Sequence, residues 1–445
     1  MSLALLTDLY ELTMMAGYFT AGFMPAATFE LYVRELPPNR SYLIAAGLEQ
    51  ALEYLEHLRF TEADVEHLRT VPALRRVRSD FFDEYLPRFR FTGEVWAVEE
   101  GTPVFPPAPL LRVTAPLPEA QLVETALLAH IGFQTSVASR AARIVQAASA
   151  RTVVEFGARR AHGVEAGVLA AHAAFLSGCA STSNVEAGRR FGIPVSGTMA
   201  HSWVMAMSDE LSAFQHYADV FGGEAVLLLD TYDSIEAARS IVASGLRPRS
   251  VRLDRGDLTV LSRRVRDILD EGGLADAGIF TSGDLDEWRI HDIVSAGAPV
   301  DGFGVGAALT TVSDAPSLGA IYKLVEIDRS GVATPVMKRS VGKPTLPGRK
   351  QVWRVFENDI ASEDVIEHVG QGLDVPSGVP LLRRVMSDGK RDIEPPPLSE
   401  LRRRSKAALA AIPERVRRIH HPEPYRVRFG PALRATVERL ATRES

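Results

Sequence analysis

Apolar and polar positions follow three successive patterns along this chain, and each predicts different elements. Near the start, TDLYELTMMAGYFTAG carries apolar residues at helical spacing between a capping candidate, Thr7 or Asp8, and a glycine stop, so it predicts a helix. FELYVREL (29–36) alternates with a period of two and predicts a strand. Residues 40–90 read as charged helices. Residues 93–117, GEVWAVEEGTPVFPPAPLLRVTAPL, break into short extended pieces punctuated by Pro and Gly, which predicts a small β-rich unit.

From about residue 150 the pattern changes to short apolar runs that end in polar or small residues and alternate with helical stretches. The runs are TVVEFGARR, IPVSGTMAH, AVLLLDTYDS, SVRLDRGDL, GIFTSGDLDE and PVDGFGVGA. Between them, 208–221 and 234–245 read as helices opened by Ser caps and early acids. Continuous apolar strands alternating with helices predict parallel strands covered by helices, with functional residues at the C-terminal strand tips. Six such units are too few for a regular eight-fold barrel. After about 340 the chain turns rich in Pro and charge (KPTLPGRK, EPPPLSE), which predicts a return to an outer domain through exposed connections.

The length of 445 residues predicts more than one core. A formal net charge of −6 lacks the basic excess that nucleic acid demands, so no nucleic-acid partner is expected. The single cysteine, Cys179, has no disulfide partner within the chain, and MSLALLTDLY lacks the basic region and apolar length of a secretory signal, so a cytoplasmic protein is expected. No membrane span is expected either. The longest apolar stretch, 165–180, is short, carries Glu165 and His172, and reads as a buried helix. The basic run RRRSK (402–406) lies in a helical pattern and reads as its solvated face.

Several strand tips carry chemistry. Arg159 and Arg160 end VVEFGARR beside a glycine that lets a ligand approach the backbone. Each guanidinium presents a fork of donors suited to phosphate, although pairing with Glu155 or simple solvation suits this stretch equally well. In SVRLDRGDL, Arg252 and Asp254 point to one side, where they could take an anion and a hydroxyl or metal, or neutralise each other. Asp257 follows them, and Asp230, Asp284 and Asp301 place acids at further tips. Carboxylates so gathered repel unless they serve hydroxyls or a divalent ion such as Mg²⁺. DGFGVGAAL (301–309) is dense in glycine and can turn backbone N–H groups toward a phosphate. Its rival reading as a dinucleotide loop, with Glu326 as the acid, fails because Pro316 breaks the helix that loop requires. No GxxxxGK[ST], HExxH or GxSxG pattern occurs. His201, in the apolar run GTMAHSWVMA, reads locally as a ligand, an accessible catalyst or a packed core imidazole.

Taken together, LLTDLYELTM, FELYVRELP, EFGARRAHG, GTMAHSWVMA, LLLDTYD, VRLDRGDL, GVGAALT and PSLGAIYKLVE resemble the nicotinate phosphoribosyltransferase family nearly end to end. The resemblance implies an α/β fold: an irregular (β/α) barrel with a flanking α+β domain built from the N- and C-terminal segments and a small β-rich unit. The division expected is 1–145 for the flanking domain including 93–117, 146–340 for the barrel, and 341–445 for the returning segment. It implies formation of nicotinate mononucleotide and pyrophosphate from nicotinate and phosphoribosyl pyrophosphate, in NAD salvage, with coupled hydrolysis of ATP. A homodimer is implied as well.

Carried over by motif, His201 is the residue that ATP phosphorylates. A neutral imidazole, with an ordinary pKa of about 6.5, is a competent nucleophile for a γ-phosphoryl group. Tyr10, reaching in from the other subunit, and Phe156 are the faces that sandwich the pyridine ring. Thr198 and Arg252 contact nicotinate. Arg159, Arg160, Asp230, Asp254, Gly304, Gly306 and Ala307 bind phosphoribosyl pyrophosphate. Mg²⁺ is expected through the substrate, with Asp230 and Asp254 as candidate ligands. Ala307 departs from relatives that place a hydroxyl residue there, which leaves the backbone N–H, or Thr310 or Thr311, to hold the phosphate. Two alternatives are a nicotinamide phosphoribosyltransferase, disfavoured because residues 197–207 contain no acid to accept from an amide, and a non-catalytic nucleotide sensor of the same fold.

Overall fold

The structure is a computed structural model that describes residues 3–339, 345–371 and 378–442. Its chain contacts divide it into two compact units, one drawn from 1–136, 317–418 and 422–445, the other from 137–316 and 419–421. The boundary expected at 340/341, and Lys343 and Pro344 of the Pro-rich stretch there, lie outside the described residues.

The first unit is built on a seven-stranded sheet, in spatial order Val332–Pro335, Ala320–Arg329, Ala26–Val33, Pro109–Pro116, Glu94–Val98, Leu382–Ser387 and Lys390–Arg391. Residues 93–117 are therefore no separate β-rich unit. Pro109–Pro116 pairs antiparallel with Ala26–Val33, and Glu94–Val98 with Leu382–Ser387, so the sequence-local hairpin sits in the middle of a sheet whose other strands come from both chain ends. Only the tertiary fold supplies those partners. The helix expected near the start spans Leu9–Ala21 and stops at Gly22, whose φ of 60° is the left-handed conformation that glycine adopts without strain. A four-stranded sheet, Gly378–Pro380, Lys350–Glu357, Ile360–His368 and Arg426–Phe429, and a two-stranded one, Leu43–Ile44 with Pro103–Val104, complete this unit's β structure among the described residues. Arg403 and Arg404 of the RRRSK run pair with Glu400 on the helix Leu398–Ala410, as a solvated helix face does.

The second unit holds six parallel strands in the spatial order Ser181–Thr182, Thr152–Glu155, Gly302–Val305, Gly278–Thr281, Ser250–Leu253 and Val226–Leu228. The order is that of a barrel opened between Ser181–Thr182 and Val226–Leu228. The sheet is accordingly a curled half-barrel, not a closed one. Five of the six expected runs supply its strands. The sixth, IPVSGTMAH, makes only one isolated parallel bridge, Thr182 to Val195: Pro194 has no N–H to donate, and the pairing ends with the Ser196 N–H on the Thr182 carbonyl. The short Ser181–Thr182 edge takes its place.

Helices cover the strands with the expected spacing but different caps. Asp209 accepts from the N–H of Ser212, and Asp233 from those of Ile235 and Glu236, so aspartates rather than the adjacent serines open Glu210–Phe221 and Ser234–Ser244. A carboxylate at that position also meets the positive end of the helix dipole. The apolar stretch near 165–180 is the buried helix Val164–Leu176. No helix among the described residues is long and apolar enough to cross a membrane.

Candidate active site

The C-terminal tips of the parallel strands line a cavity of about 660 Å³. Each strand contributes where its extended path ends, because there the backbone turns and the side chains leave the close-packed sheet. Phe156, Arg159 and Arg160 come from the tip of Thr152–Glu155, Ser183 from that of Ser181–Thr182, and Asp254, Arg255 and Gly256 from that of Ser250–Leu253. Ser282, Gly283 and Asp284 follow Gly278–Thr281, and Gly304, Gly306 and Ala307 belong to or follow Gly302–Val305. Gly197 to His201 close one wall, and Arg252 and Arg289 complete the cationic lining. Five arginines against two aspartates make the cavity positive, which suits a ligand carrying several phosphate charges.

Arg252 is the best organised of the five. Its Nη1 donates to the Thr198 hydroxyl at 3.1 Å and to the Met199 carbonyl at 3.2 Å, and its Nη2 lies 3.3 Å from Asp254. Its Nε is buried and unpartnered. Asp254 accepts in turn from the Ser282 hydroxyl, and its backbone N–H donates to Asp230 at 2.9 Å. Burial pushes the Asp254 carboxyl up, but the Ser282 hydrogen bond and the Arg252 charge outweigh it and hold the group below the usual carboxylate range. The two alternatives for Arg252 and Asp254 thus coexist: they pair with each other and both face the cavity.

Glu155 resolves the other ambiguity. It is fully buried and accepts from the Gly157 N–H, from the Thr182 hydroxyl at 2.6 Å and from the Thr310 hydroxyl at 3.2 Å. Burial raises its pKa against those hydrogen bonds. Neither neighbouring arginine pairs with it. Arg159 and Arg160 are exposed and, among the described residues, make no ion pair, so their charge is directed into the cavity.

Two glycines are fixed by close approach. A Cβ on Gly304 would strike the ring of Phe156, which packs 6.0 Å from Phe280 between centroids. A Cβ on Gly283, where φ is 87°, would run into the Asp254 carbonyl. His201 is the first residue of the short helix His201–Ala206, half-buried on the cavity wall, with Nδ1 3.2 Å from the Thr231 hydroxyl. It is not a core imidazole. His201, Asp230 and Asp254 bring one ligand atom each within 4.8 Å of one another, and Oδ1 of Asp230 is buried without a partner.

Some expected residues stand elsewhere. Asp301 precedes its strand, at the end opposite the cavity, and accepts from the Ile279 N–H at 2.7 Å. Asp257 caps the helix Leu258–Glu271. Thr310 is taken up by Glu155, and Thr311 bonds back to the Ala307 carbonyl at 2.8 Å, so neither hydroxyl lines the cavity. Tyr10 belongs to the first unit, is 45% exposed and is not a lining residue. Conversely, Arg255, Arg289, Ser183 and Ser282 were not singled out from the sequence. Arg289 follows the acidic tip GDLDE by only two residues, and an arginine in the first turn of the next helix was the available signal.

Glu210 opens the helix Glu210–Phe221 close to Asp230 and Asp233. Burial, and the charges of Asp233 and Asp230, push its carboxyl up to about 7. Between the usual carboxylate range and pH 7 the folded chain therefore holds a proton that the unfolded chain releases, and stability falls as pH rises through that window. Glu210→Gln, which stays neutral, is expected to raise Tm at pH 8 by more than at pH 5. Thermal melts at both pH values check this, and equal shifts would contradict it.

Three family models match the chain: the nicotinate phosphoribosyltransferase N-terminal domain over residues 5–132, the nicotinate phosphoribosyltransferase family over 152–248, and the nicotinate phosphoribosyltransferase C-terminal domain over 376–437. Among characterised relatives, nicotinate phosphoribosyltransferase pncB2 of Mycobacterium tuberculosis is 44% identical over 421 residues, covering 93% of this chain and 88% of its own. The Bacillus subtilis nicotinate phosphoribosyltransferase is 42% identical, covering 80% and 74%. The crystal structure of the human nicotinic acid phosphoribosyltransferase superposes with a TM-score of 0.86 at 29% identity, covering 98% of this chain and 100% of that one.

Proposed function

Because the chain belongs to the nicotinate phosphoribosyltransferase family, we propose that its arginine-lined cavity holds nicotinate beside phosphoribosyl pyrophosphate and joins them there. The chain is an enzyme of NAD salvage. The observation that carries the assignment of residues is the Arg252 fork, preset by Thr198 and Asp254 in a cavity also lined by the Phe156 ring and the Gly304 and Gly306 backbone. The carboxylate of nicotinate meets Arg252 and the Thr198 hydroxyl, and the pyridine ring stacks on Phe156. The Gly304–Ala307 backbone takes the 5-phosphate, with the N–H of Ala307 serving where its side chain cannot donate. Arg159 and Arg160 take the pyrophosphate, and Arg255 and Arg289 extend that cationic wall.

The ring nitrogen's lone pair forms the new bond to the anomeric carbon as the bond to pyrophosphate breaks, and the electron pair leaves with the pyrophosphate. No base is needed, because the pyridine nitrogen carries no proton to remove. The chain's contribution is orientation of that nitrogen and stabilisation of the departing charge. Oxygen donors fit Mg²⁺: Asp230 has an unpartnered buried oxygen and Asp254 lies beside it, so these two residues would hold the ion, which neutralises phosphate charge when bound.

His201, half-buried on the cavity wall, accepts a phosphoryl group from ATP in this reading. In the tautomer whose Nδ1–H donates to the Thr231 hydroxyl, 3.2 Å away, Nε2 carries the free lone pair, and its attack on the γ-phosphorus releases ADP. A phosphohistidine then places added negative charge opposite the arginine wall. Tyr10, exposed and not among the residues that line the cavity, is available to cover the pyridine ring in a second copy, which makes the working form a homodimer. The cytoplasm is the matching compartment. Pyrophosphate release measured with nicotinate, phosphoribosyl pyrophosphate and Mg²⁺ is expected to rise on adding ATP. Turnover indifferent to ATP would remove the phosphohistidine from this reading, and no turnover in either condition would favour the sensor.

A further inference from the structure

We propose that His291, Asp292 and His420 form a binding site for one divalent transition metal of the zinc, nickel or copper type, distinct from the cavity. One ligand atom from each lies within 4.8 Å of the other two. The two imidazoles meet edge to face with centroids 4.8 Å apart, and Nδ1 of His291 is 3.9 Å from an Asp292 oxygen. Tetrahedral ligands at about 2.0–2.1 Å from zinc stand roughly 3.3 Å apart. The cluster must therefore contract by at most about 1.5 Å, within the range that rotation of the exposed Asp292 and His420 side chains covers.

Two imidazoles and one carboxylate select a borderline metal over Mg²⁺ or Ca²⁺, which prefer all-oxygen shells. The His201, Asp230 and Asp254 group has the opposite balance, one nitrogen to two carboxylates, so the two clusters sort different ions. The segment bearing His420 is already seated, since the Ile419 carbonyl accepts from buried Arg143 at 3.0 Å. Arg143 and Arg140 in turn pair with Glu287, at 3.1 and 3.0 Å, in the first turn of the helix Glu287–Ser295 that carries both His291 and the cavity residue Arg289. A metal at this site fastens residues 419–421 to that helix at a second point, one turn beyond the ion pairs, and links positions 129 residues apart in the chain. Such a link stabilises the folded state by mass action.

The test is Zn²⁺ titrated into the full chain by calorimetry with millimolar Mg²⁺ present, alongside Co²⁺ absorption spectra. Wild type is expected to take one Zn²⁺ that raises Tm, and to give a Co²⁺ spectrum with nitrogen ligation. His420→Ala and His291→Ala are expected to weaken that site more than tenfold, Asp292→Asn several-fold, and His201→Ala not at all. Because His420 is exposed, His420→Ala leaves the fold intact and decides the matter even where His291→Ala lowers stability. Unchanged Zn²⁺ affinity in His420→Ala, no binding by wild type, or loss only in His201→Ala would each overturn the site.

Discussion

Replacing Arg252 by glutamine is expected to raise the KM for nicotinate by about tenfold to about 150-fold while affecting nicotinamide little. The range follows from the roughly 1.5–3 kcal/mol carried by a hydrogen bond to a charged group, at about 1.36 kcal/mol per factor of ten. Arg252 lies on a strand, its Nη1 held by Thr198 and Met199 and its Nη2 by Asp254, so its fork is fixed before any ligand arrives and little side-chain entropy is lost on binding. Glutamine is shorter and offers one uncharged NH₂ in place of the charged fork, a loss that falls on a carboxylate more than on an amide. The same change removes a cation beside Asp254, so Arg252→Lys is the companion variant: it keeps the charge and loses the fork. Steady-state kinetics with both pyridines check the prediction. Equal losses for nicotinate and nicotinamide would place the carboxylate elsewhere.

The second large effect is expected at His201. His201→Asn should abolish acid-labile labelling from the γ-phosphate of ATP and lose the stimulation of turnover by ATP, leaving basal transfer. Asparagine keeps a polar group near the position of Nδ1, where Thr231 stands 3.2 Å away, and has no nitrogen able to take the phosphoryl group. Basal transfer survives because bond formation to the anomeric carbon uses the substrate's own ring nitrogen. Label that persists on the variant would assign the phosphoryl group to another residue.

The strands and the chemistry at their tips were legible because each is a local property. An apolar run of four or five residues ending in Gly, Arg or Asp marks a buried parallel strand and its exit, and Arg252, Asp254, Phe156 and Gly304 all follow from that pattern. Asp301 shows where the pattern misleads: it lies just before an apolar run, and residue spacing alone does not tell which end of a strand faces the ligand. IPVSGTMAH reads as a sixth strand for the same reason, yet its pairing stops at the single bridge of Val195 to Thr182.

What this sequence determined by itself is the set of short-range choices: where strands and helices begin and end to within a few residues, which residue types stand at the tips, and the motifs that identify the family. What only the tertiary structure decided is which of those tips meet. The half-barrel opens between Ser181–Thr182 and Val226–Leu228, residues 93–117 lie mid-sheet between strands from both chain ends, and Arg289 faces the cavity. The physical reason is that helix and strand periodicity arise from contacts a few residues apart, whereas strand pairing and cavity lining depend on hydrogen bonds and packing between residues scores to hundreds of positions apart, which no local window contains.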